Sequence, residues 1–297
     1  MTIYIFGKTP EQDRDKQYIK TLFENLCLFY EKIFVWSSLF ESIKNLLPQT
    51  ERIKTFSHKS DLKDYTGILL SLGGDGTMLD TVKFVIGTRI VVLGVNLGHL
   101  GFLTSAGRED ITKLVYEIQK NNFTIEKRPV LEVEFPSKTK KKHFAVNEAC
   151  FLSTNRGSII NLEVFVNDNY LSTYSADGII VATPTGSTAY SMAAGGPIIS
   201  PLSQCLCITP IAPHNLTFRP IIISDTSEIC VRIPINNNKC EMLLDGYGVF
   251  KKNNTTVRMR KSPYFWNLVR LENQDFFKAI RDKLMWGTTP KYISENK

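Results

Sequence analysis

The sequence predicts an α/β domain followed by an all-β domain, and two observations carry that prediction. Through residue 122, short apolar segments alternate with longer amphipathic ones, which is the βαβ pattern of a mostly parallel sheet. From about residue 123, short segments rich in Val, Ile, Phe and Thr recur between polar or Gly/Asn breaks, which is typical of a β-sandwich. We therefore expect an α/β domain over residues 1–122 and a β-sandwich-like domain over residues 123–263.

The elements of the first domain follow from apolar runs and helical spacing. Thr9 and Pro10 suit the cap and the first position of the first helix, which reaches about Phe29. The predicted elements are strand Ile3–Phe6, this first helix, strand Ile33–Val35, helix Ser38–Leu47, strand Ile68–Leu72, a helix after Thr77 that reaches Val85, strand Ile90–Leu93 and helix Asp110–Lys120.

The second domain is predicted as a succession of strands. Asn167, Asp168 and Asn169 form a turn signal between two of them. The predicted strands are Val130–Phe135, Phe144–Leu152, Ile159–Val166, Tyr170–Tyr174, Gly178–Ala182, Leu206–Thr209, Glu228–Ile233, Glu241–Leu244 and Thr255–Arg260. After them, Asn267–Trp286 has a helical pattern.

The composition, with 43% hydrophobic and 22% charged residues among 297, is that of a soluble globular protein. No apolar run approaches the length of a membrane span, and the amino terminus is predicted to be a first strand rather than a signal peptide. The six cysteines form no Cys-x-x-Cys motif or Cys/His cluster, which argues against a zinc site and a disulfide framework. We expect a cytoplasmic protein with reduced thiols and no membrane partner.

The net charge of +7 is compatible with anionic ligands. Part of it comes from one run that contains Lys138, Lys140, Lys141 and Lys142 between two strand-like segments. No aromatic residues interleave with these lysines, so we interpret the run as a solvated hairpin tip rather than a nucleic-acid-binding patch.

The segment Gly73-Gly74-Asp75-Gly76-Thr77 places one carboxylate between residues that lack side chains. It lies between a predicted strand and a predicted helix, where open α/β sheets bind their ligands. Glycine lets the main chain approach a bulky anion, and free helix N–H groups point at it. A carboxylate there would repel phosphate unless it accepted a proton or bound a metal. The alternative is an ordinary Gly-Asp-Gly turn.

Residues 177–197 are predicted to form a strand, a turn that begins with proline, a hydroxyl-rich cap, a short helix of small residues and a Gly-Gly stop. Three hydroxyls near the helix start could bind phosphate or ribose oxygens, and the alternative is a well-capped structural helix. Asn147 and Glu148 interrupt an otherwise apolar strand, so one of the two is expected to point inward, where a ligand could satisfy it. The alternative is a pair at an edge strand that faces solvent.

Four segments in this order resemble the NAD kinase family. They are Gly73-Gly74-Asp75-Gly76-Thr77, Asn96-x-Gly-x-x-Gly-Phe102, Asn147-Glu148 and Thr183-Pro184-Thr185-Gly186-Ser187-Thr188-Ala189-Tyr190-Ser191. The first segment is shared with diacylglycerol-kinase-like lipid kinases and phosphofructokinases, whereas the last is more selective. The resemblance implies transfer of the γ-phosphoryl group of ATP to the 2′-hydroxyl of the adenosine ribose of NAD, which gives NADP.

The resemblance also implies an architecture and partners. The first domain would be a Rossmann-like three-layer α/β domain, completed by residues from about 264 to 297, whose C-terminal helix returns to it. The β-sandwich-like domain would bind NAD. A divalent metal, Mg²⁺, would enter with ATP, and its protein ligands stay open. A homo-oligomer, a dimer or a tetramer, is expected.

Carried over by position, Asp75 would be the proton acceptor for the ribose hydroxyl. Gly73, Gly74, Gly76 and Thr77 would cradle phosphates, and Asn96 and Phe102 are candidate neighbours of the adenine. The residues expected to bind NAD are Asp75, Gly76, Asn147, Glu148, Asp177, Thr185, Thr188, Ala189, Tyr190, Ser191, Met192, Ala193 and Ala212.

The chain departs from the family pattern at two places. Ser175 stands two positions before Asp177, where many members carry a basic residue, and Asp245-Gly246-Tyr247 stands where they often have Asp-Gly-Gln. Both departures concern contacts to the dinucleotide. Two alternative functions are a lipid kinase of the diacylglycerol type and a non-catalytic dinucleotide sensor. The presence of Asp75 argues against the sensor, because pure binding would favour a neutral or basic residue beside phosphates.

Overall fold

A computed structural model of the chain describes residues 1–48, 50–62, 66–98, 101–108, 111–136, 142–155, 157–235, 240–271 and 275–287, with only the backbone of Phe250 and Lys251. The chain divides into two compact units. The first comprises residues 1–126 and 267–297, and the second comprises residues 127–266. Some residues named in the sequence analysis lie outside these ranges. They are Lys138, Lys140 and Lys141 of the predicted hairpin tip, His99 and Leu100 between Asn96 and Phe102, and the last ten residues.

The first unit alternates strands and helices. Its strands are β1 (Ile3–Gly7), β2 (Ile33–Trp36), β3 (Ile53–Phe56), β4 (Thr66–Leu72) and β5 (Arg89–Val95), joined by the end of β17 (Thr255–Arg270). Its helices are α1 (Asp13–Phe29), α2 (Ser37–Ile43), α3 (Asp75–Asp80), α4 (Val82–Val85), α5 (Ile111–Gln119) and α7 (Phe276–Leu284). The strands pair in parallel in the order β3, β2, β1, β4, β5, and Leu268 of β17 lies opposite Val92 of β5.

Helices cover both faces of this parallel sheet. Because side chains alternate along a strand, Ile3 and Ile5 of β1 pack into one core together with apolar residues of α1, α2 and α5. Tyr4 and Phe6 point to the opposite face, where the Phe6 ring lies 5.5 Å from that of Phe84 in α4. The α/β class predicted from the sequence is thereby confirmed.

Two boundaries in the first unit differ from the prediction. Helix α1 begins at Asp13 rather than at Thr9-Pro10; Pro10 is buried in the preceding loop, and Asp13 and Asp15 supply the negative charge that favours a helix start. Among the described residues of Asn267–Trp286, α7 is the helical part, because residues up to Arg270 continue β17. Leu268 and Val269 are fully buried, and a short apolar run of that kind has no periodicity that separates a strand from a helix.

The second unit contains two antiparallel sheets. Its further elements are β6 (Thr124–Glu134), β7 (His143–Ala145), β8 (Glu148–Ser153), β9 (Ile160–Val166), β10 (Asn169–Ala176), β11 (Gly178–Ala182), α6 (Tyr190–Ala193), β12 (Cys205–Ile211), β13 (Ile221–Ser224), β14 (Ile229–Ile233), β15 (Cys240–Leu244) and β16 (Tyr247–Lys251). One sheet runs β10, β9, β14, β17, β6, β7, and the other runs β13, β12, β11, β8, β15, β16.

The inner faces of these two sheets share one apolar core. Val164 of β9 and Met259 of β17 lie in the same buried cluster as Phe151 of β8 and Ile208 of β12. The β-sandwich predicted from short apolar strands is therefore confirmed. Strands β3, β13 and β16 were absent from the prediction, whereas the turn at Asn167 and Asp168 is present, with φ angles of 50° and 61°.

The predicted strand Phe144–Leu152 is wrong as a single element. It is divided into β7 and β8 by Val146 and Asn147. The backbone N–H groups at this break bond to the carboxylate of Asp245 instead of to a neighbouring strand.

Among the described residues, no helix is long and apolar enough to cross a membrane.

Candidate active site

The segment after β5 holds in a fixed orientation the carboxylate of Asp75, a residue of the loop after β4. Helix α3 begins at Asp75, with Gly74 at its N-cap. The N–H of Phe102 donates to Oδ2 of Asp75 at 2.7 Å, and the N–H of Leu103 donates to Oδ1 at 3.0 Å. A Cβ atom on Gly101 would lie 1.8 Å from Oδ1, so glycine is required there by the close approach of the carboxylate. The two hydrogen bonds leave each oxygen with a further lone pair.

The other residues of this loop divide into packed and open positions. The N–H of Gly73 donates to the carbonyl oxygen of Val95 at 2.9 Å, which joins the ends of two strands, and the side chain of Thr77 is buried. Gly74 and Gly76 are exposed, and a Cβ atom on either would meet no other described part of the chain within 4 Å, apart from its immediate neighbours. Packing within the protein therefore does not explain glycine at these two positions, and their backbone is open to a bulky ligand.

Two cations from the returning C-terminal segment contact the loop that holds Asp75. The guanidinium of Arg270 donates to the carbonyl oxygen of Leu103 and to the hydroxyl of Ser105, each at 3.3 Å. The ammonium of Lys283 lies 4.4 Å from the centroid of the Phe102 ring. Asn96 is buried, and its Oδ1 accepts a hydrogen bond from the N–H of Gly98 at 2.7 Å. Two cations thus lie beside the segment that holds Asp75, and Arg270 is paired with Glu126.

In the second unit, Asp245 organises the break that carries Asn147 and Glu148. Its carboxylate accepts hydrogen bonds from the N–H groups of Val146 at 2.8 Å, Asn147 at 2.8 Å and Glu148 at 3.0 Å. In return, the N–H of Asp245 donates to the carbonyl oxygen of Glu148 at 3.1 Å. Both Asn147 and Glu148 are buried, although strict alternation along one strand predicted that only one would point inward. The break removes that alternation.

Glu148 and Asp245 form a pair of neighbouring acidic groups. Burial, with a smaller contribution from the charge of Asp245, raises the pKa of Glu148 to about 8. Burial also raises the pKa of Asp245 to about 6, against the opposing effect of its three backbone hydrogen bonds. Oε2 of Glu148 is buried and has no hydrogen-bond partner among the described residues. A buried polar atom of this kind is suited to a ligand that brings its own hydrogen-bonding group.

The segment from Thr183 to Ala193 packs directly on this break. The N–H of Thr183 donates to the carbonyl oxygen of Asn147 at 2.8 Å. A Cβ atom on Gly186 would lie 2.2 Å from that same oxygen, so the contact requires glycine. The buried hydroxyl of Thr185 accepts a hydrogen bond from the guanidinium of Arg128 at 3.2 Å. Two of the segments singled out in the sequence are therefore adjacent in the folded unit.

Two comparisons with known proteins identify the family. The ATP-NAD kinase N-terminal domain matches residues 9–123, and the ATP-NAD kinase C-terminal domain matches residues 146–271. An NAD kinase of Flavobacterium johnsoniae is 35% identical over 294 residues, which cover 97% of this chain and 98% of that protein. The chain belongs to the NAD kinase family.

Further relatives agree with this membership. An NAD kinase of Flavobacterium psychrophilum is 39% identical over 235 residues, covering 78% of this chain and 80% of that protein. A crystal structure of yeast NADH kinase complexed with NADH superposes with a TM-score of 0.87 at 27% identity, covering 97% of this chain and 89% of that one. The chain is accordingly a phosphotransferase of the NAD kinase type, which converts ATP and NAD to ADP and NADP.

The remaining NAD kinase site candidates lie at strand ends and on the short helix α6. Asp177 is exposed between β10 and β11, and its N–H donates to the carbonyl oxygen of Ile211 at 3.1 Å. Ala212 follows β12 with a φ angle of 42°, in the left-handed region. Ser175 donates to the side-chain oxygen of Asn161, and Tyr247 is exposed at the start of β16. The other candidates, from partly buried to exposed, are Thr188, Ala189, Tyr190, Met192 and Ala193.

The hydroxyl-rich cap predicted for this segment is wrong. Ala189, which has no side-chain oxygen, stands at the N-cap of α6. The hydroxyl of Ser187 donates to the carbonyl oxygen of Pro184 at 2.7 Å, and that of Thr188 donates to the carbonyl oxygen of Thr185 at 3.3 Å. The hydroxyl of Ser191 bonds to that of Thr209 at 2.9 Å. These hydroxyls thus fold the segment onto itself and onto β12.

Sequence reasoning missed three residues: Asp245 and Arg128 in the second unit, and Lys283 in the first. Asp245 entered only as part of a departure from the family pattern, and Arg128 and Lys283 were not considered at all. The Asp245-Gly246 pair between two apolar segments is a recognisable hairpin turn signal, and its left-handed φ angles of 47° and 84° agree with such a turn. No comparable local signal distinguishes Arg128 or Lys283 from other basic residues.

Proposed function

We propose that Asp75 accepts the proton of the 2′-hydroxyl of the adenosine ribose of NAD while that oxygen attacks the γ-phosphorus of ATP. The observation that carries this role is the fixed carboxylate, held by the N–H groups of Phe102 and Leu103. Phosphoryl transfer passes through a loose transition state, so catalysis depends on positioning and on neutralising charge. A carboxylate with a free lone pair on each oxygen can orient the hydroxyl and take its proton as the bond to phosphorus forms.

The open backbone beside Asp75 suits the phosphates. Gly73, Gly74, Gly76 and Thr77 would surround them, and the absence of any protein atom near Cβ positions at residues 74 and 76 supports that assignment. An adenine contact with Phe102 would use the ring face opposite Lys283, and the amide of Asn96 is a second candidate neighbour.

We assign recognition of NAD to a set of groups that includes the break at Asn147 and Glu148. The unpaired Oε2 of Glu148 supports a hydrogen bond to a ribose hydroxyl, because a group that holds its own proton can donate as well as accept. The further proposed contacts are Asp75, Gly76, Asp177, Thr185, Thr188, Ala189, Tyr190, Ser191, Met192, Ala193 and Ala212.

Mg²⁺ is proposed to enter bound to ATP. Among the described residues, no group of three or more His, Cys, Asp or Glu side chains could hold a metal ion. This fits an ion that takes most of its ligands from phosphate oxygens and water and at most one or two from carboxylates. When bound, it would offset negative charge on the phosphates, and Asp75 is the carboxylate of the loop that could contact it.

Two further properties belong to the same proposal. A homo-oligomer, either a dimer or a tetramer, is expected from the family resemblance and is tested by light scattering of the purified protein. Cytoplasmic location is supported by the six cysteines, all of which are free thiols in the structure. Localisation of a fluorescent fusion of the full chain tests it.

One assay of the purified protein tests the reaction and its alternatives. ATP, Mg²⁺ and NAD are incubated with the enzyme, and NADP is measured with an NADP-specific dehydrogenase. Parallel reactions replace NAD by NADH, ATP by polyphosphate, or NAD by diacylglycerol in mixed micelles. NADP formation is the expected result. Phosphatidate as the product would indicate the lipid kinase, and dinucleotide binding without any product would indicate the sensor.

A further inference from the structure

Lys283 lies in the last turn of α7, and the reaction proposed above gives its ammonium group no role. Its side chain is half-buried, and its ammonium lies over the ring of Phe102, whose N–H holds Asp75. Two other cations of the C-terminal segment have carboxylate partners: Arg270 pairs with Glu126 at 3.1 Å, and Arg281 lies 3.9 Å from Asp275.

Within the described residues, Lys283 has no carboxylate partner and makes no hydrogen bond. Burial lowers its pKa, while attraction to the charge of Asp75 raises it and repulsion from Arg270 lowers it further. Asp75 and Asp282 attract this half-buried ammonium, but neither forms an ion pair with it among the described residues, so a phosphate group of a ligand would give it a direct anionic partner. A lysine near a helix C-terminus is stabilised by the helix dipole with or without an aromatic ring beneath it. The dipole therefore does not explain why Lys283 lies over Phe102.

We propose that Lys283 binds a phosphate group of ATP. The proposal rests on the function proposed above, because it takes ATP as the phosphoryl donor at the Asp75 loop. Lysine commonly binds phosphate as a compact point charge. The exposed Gly74 and Gly76 flank Asp75, whose carboxylate accepts the N–H of Phe102, the residue under the ammonium of Lys283. The C-terminal helix thereby supplies a substrate-binding group.

The test compares three variants of the full chain. Lys283→Met removes the charge but keeps an apolar side chain on Phe102, and Lys283→Arg keeps the charge. Lys278→Met removes an exposed charge of the same helix and is the matched control. KM is measured separately for ATP and for NAD, and the affinity for Mg·ATP without NAD is measured by calorimetry. Melting temperatures report on folding.

We expect Lys283→Met to weaken Mg·ATP binding and to raise the KM for ATP by about 10-fold or more, the range of a lost hydrogen bond to a charged group. The KM for NAD should change by less than about twofold, since only one charge contact to ATP is removed. Lys283→Arg should stay closer to the original enzyme than Lys283→Met, and Lys278→Met should not differ from it. High salt should reduce ATP affinity more in the original enzyme than in Lys283→Met.

Three results would overturn the inference. Equal ATP affinity in Lys283→Met and Lys278→Met would show that the ammonium does not contact ATP. Equal losses of ATP and NAD affinity, or a large fall in melting temperature, would show a structural role. If the original protein forms NADP and Lys283→Met behaves like it, the inference fails and the proposed reaction stands. If the original protein forms no NADP, the proposed reaction fails, and the calorimetry still decides whether Lys283 binds ATP.

Discussion

Asp75 in the first unit and Asp245 in the second make the same kind of contact in opposite charge environments. Each carboxylate accepts hydrogen bonds from consecutive backbone N–H groups of a distant segment, two for Asp75 and three for Asp245. The neighbouring charge at Asp75 is the ammonium of Lys283, and at Asp245 it is the carboxyl group of Glu148. The same kind of contact, a carboxylate that accepts several backbone N–H groups, therefore occurs in two different sites.

The difference in charge indicates what each site can bind. Cations beside a carboxylate reduce the repulsion that an incoming phosphate would meet, so the surroundings of Asp75 suit a triphosphate. Two buried acidic groups side by side favour retention of a proton, because both cannot ionise cheaply in a region of low dielectric constant. Asp245 and Glu148 therefore suit a ligand with hydroxyl groups rather than one with phosphates.

The largest effect on turnover is expected for a substitution of Asp75, which tests the catalytic role of its carboxylate. Asp75→Asn should lower turnover by at least about 100-fold, within the range for a lost general base, while the affinity for NAD changes little. The amide cannot accept the proton, and its NH₂ group would face a backbone N–H. Initial rates with saturating ATP and NAD measure the effect, and calorimetry measures NAD affinity. Turnover close to that of the original enzyme would contradict the proposed role.

Gly101→Ala tests the same carboxylate without removing it. A Cβ atom there would lie 1.8 Å from Oδ1 of Asp75, so the carboxylate must move. Since a displacement of about 1 Å can cost roughly 100-fold in rate, we expect a loss of turnover approaching that of Asp75→Asn. If Gly101→Ala is fully active, the orientation of Asp75 by this loop does not matter for catalysis.

At Asp245 the same substitution should act on stability first. Asp245→Asn replaces a charged acceptor for three N–H groups by a weaker one, and we expect a loss of about 2–3 kcal/mol in the free energy of unfolding together with a higher KM for NAD. Asp168→Asn is a matched control, since Asp168 also has a left-handed φ angle in a hairpin turn but its side chain is 91% exposed. That control should change stability by less than about 0.5 kcal/mol. Equal urea midpoints for the two variants would contradict the role of Asp245.

The two aspartates also differ in how far the sequence predicts them. Asp75 is conspicuous because its glycine neighbours and the strand before it are local features. Asp245 acts on residues 97 to 99 positions away, and no periodicity reveals which segment its turn will reach. The N–H groups at the break between β7 and β8 bond to that distant carboxylate, whereas the local sequence pattern predicted one continuous strand. Lys283 likewise depends on the return of the chain to the first unit, which only the family resemblance implied.

A fourth prediction concerns the proton shared by Glu148 and Asp245. The pKa of Glu148 is raised to about 8 by burial and by Asp245, so the folded state keeps a proton that the unfolded chain releases near the ordinary value of 4.5. Stability should therefore fall as the pH rises from about 4.5 to about 8 and level off above it. Asp245, with its pKa raised to about 6, adds to the fall at the acidic end of that window.

Glu148→Gln should remove most of this pH dependence. We expect it to be more stable than the original chain at pH 8.5 by about 1–3 kcal/mol and similar to it at pH 4.5, as measured by urea denaturation. The neighbouring thiol of Cys150 has its pKa raised by burial, with smaller contributions from the charges of Glu148 and Cys240, so it stays protonated throughout this pH range. Exposed Glu11→Gln is the control and should keep the original slope. A slope in Glu148→Gln equal to that of the control would contradict the shared proton.

The smallest effect is expected for a substitution of Gly76, whose exposed backbone lies beside Asp75. Gly76→Ala places a methyl group in the first turn of α3, where no described residue beyond its chain neighbours and its own helix backbone comes within 4 Å. Because alanine is the better helix former, the free energy of unfolding should rise by about 0.5–1 kcal/mol. If a phosphate uses that space, the same methyl group should weaken ATP binding by about 1 kcal/mol or more, roughly fivefold in KM. A gain in stability with an unchanged KM for ATP would show that the open space is not where the phosphates bind.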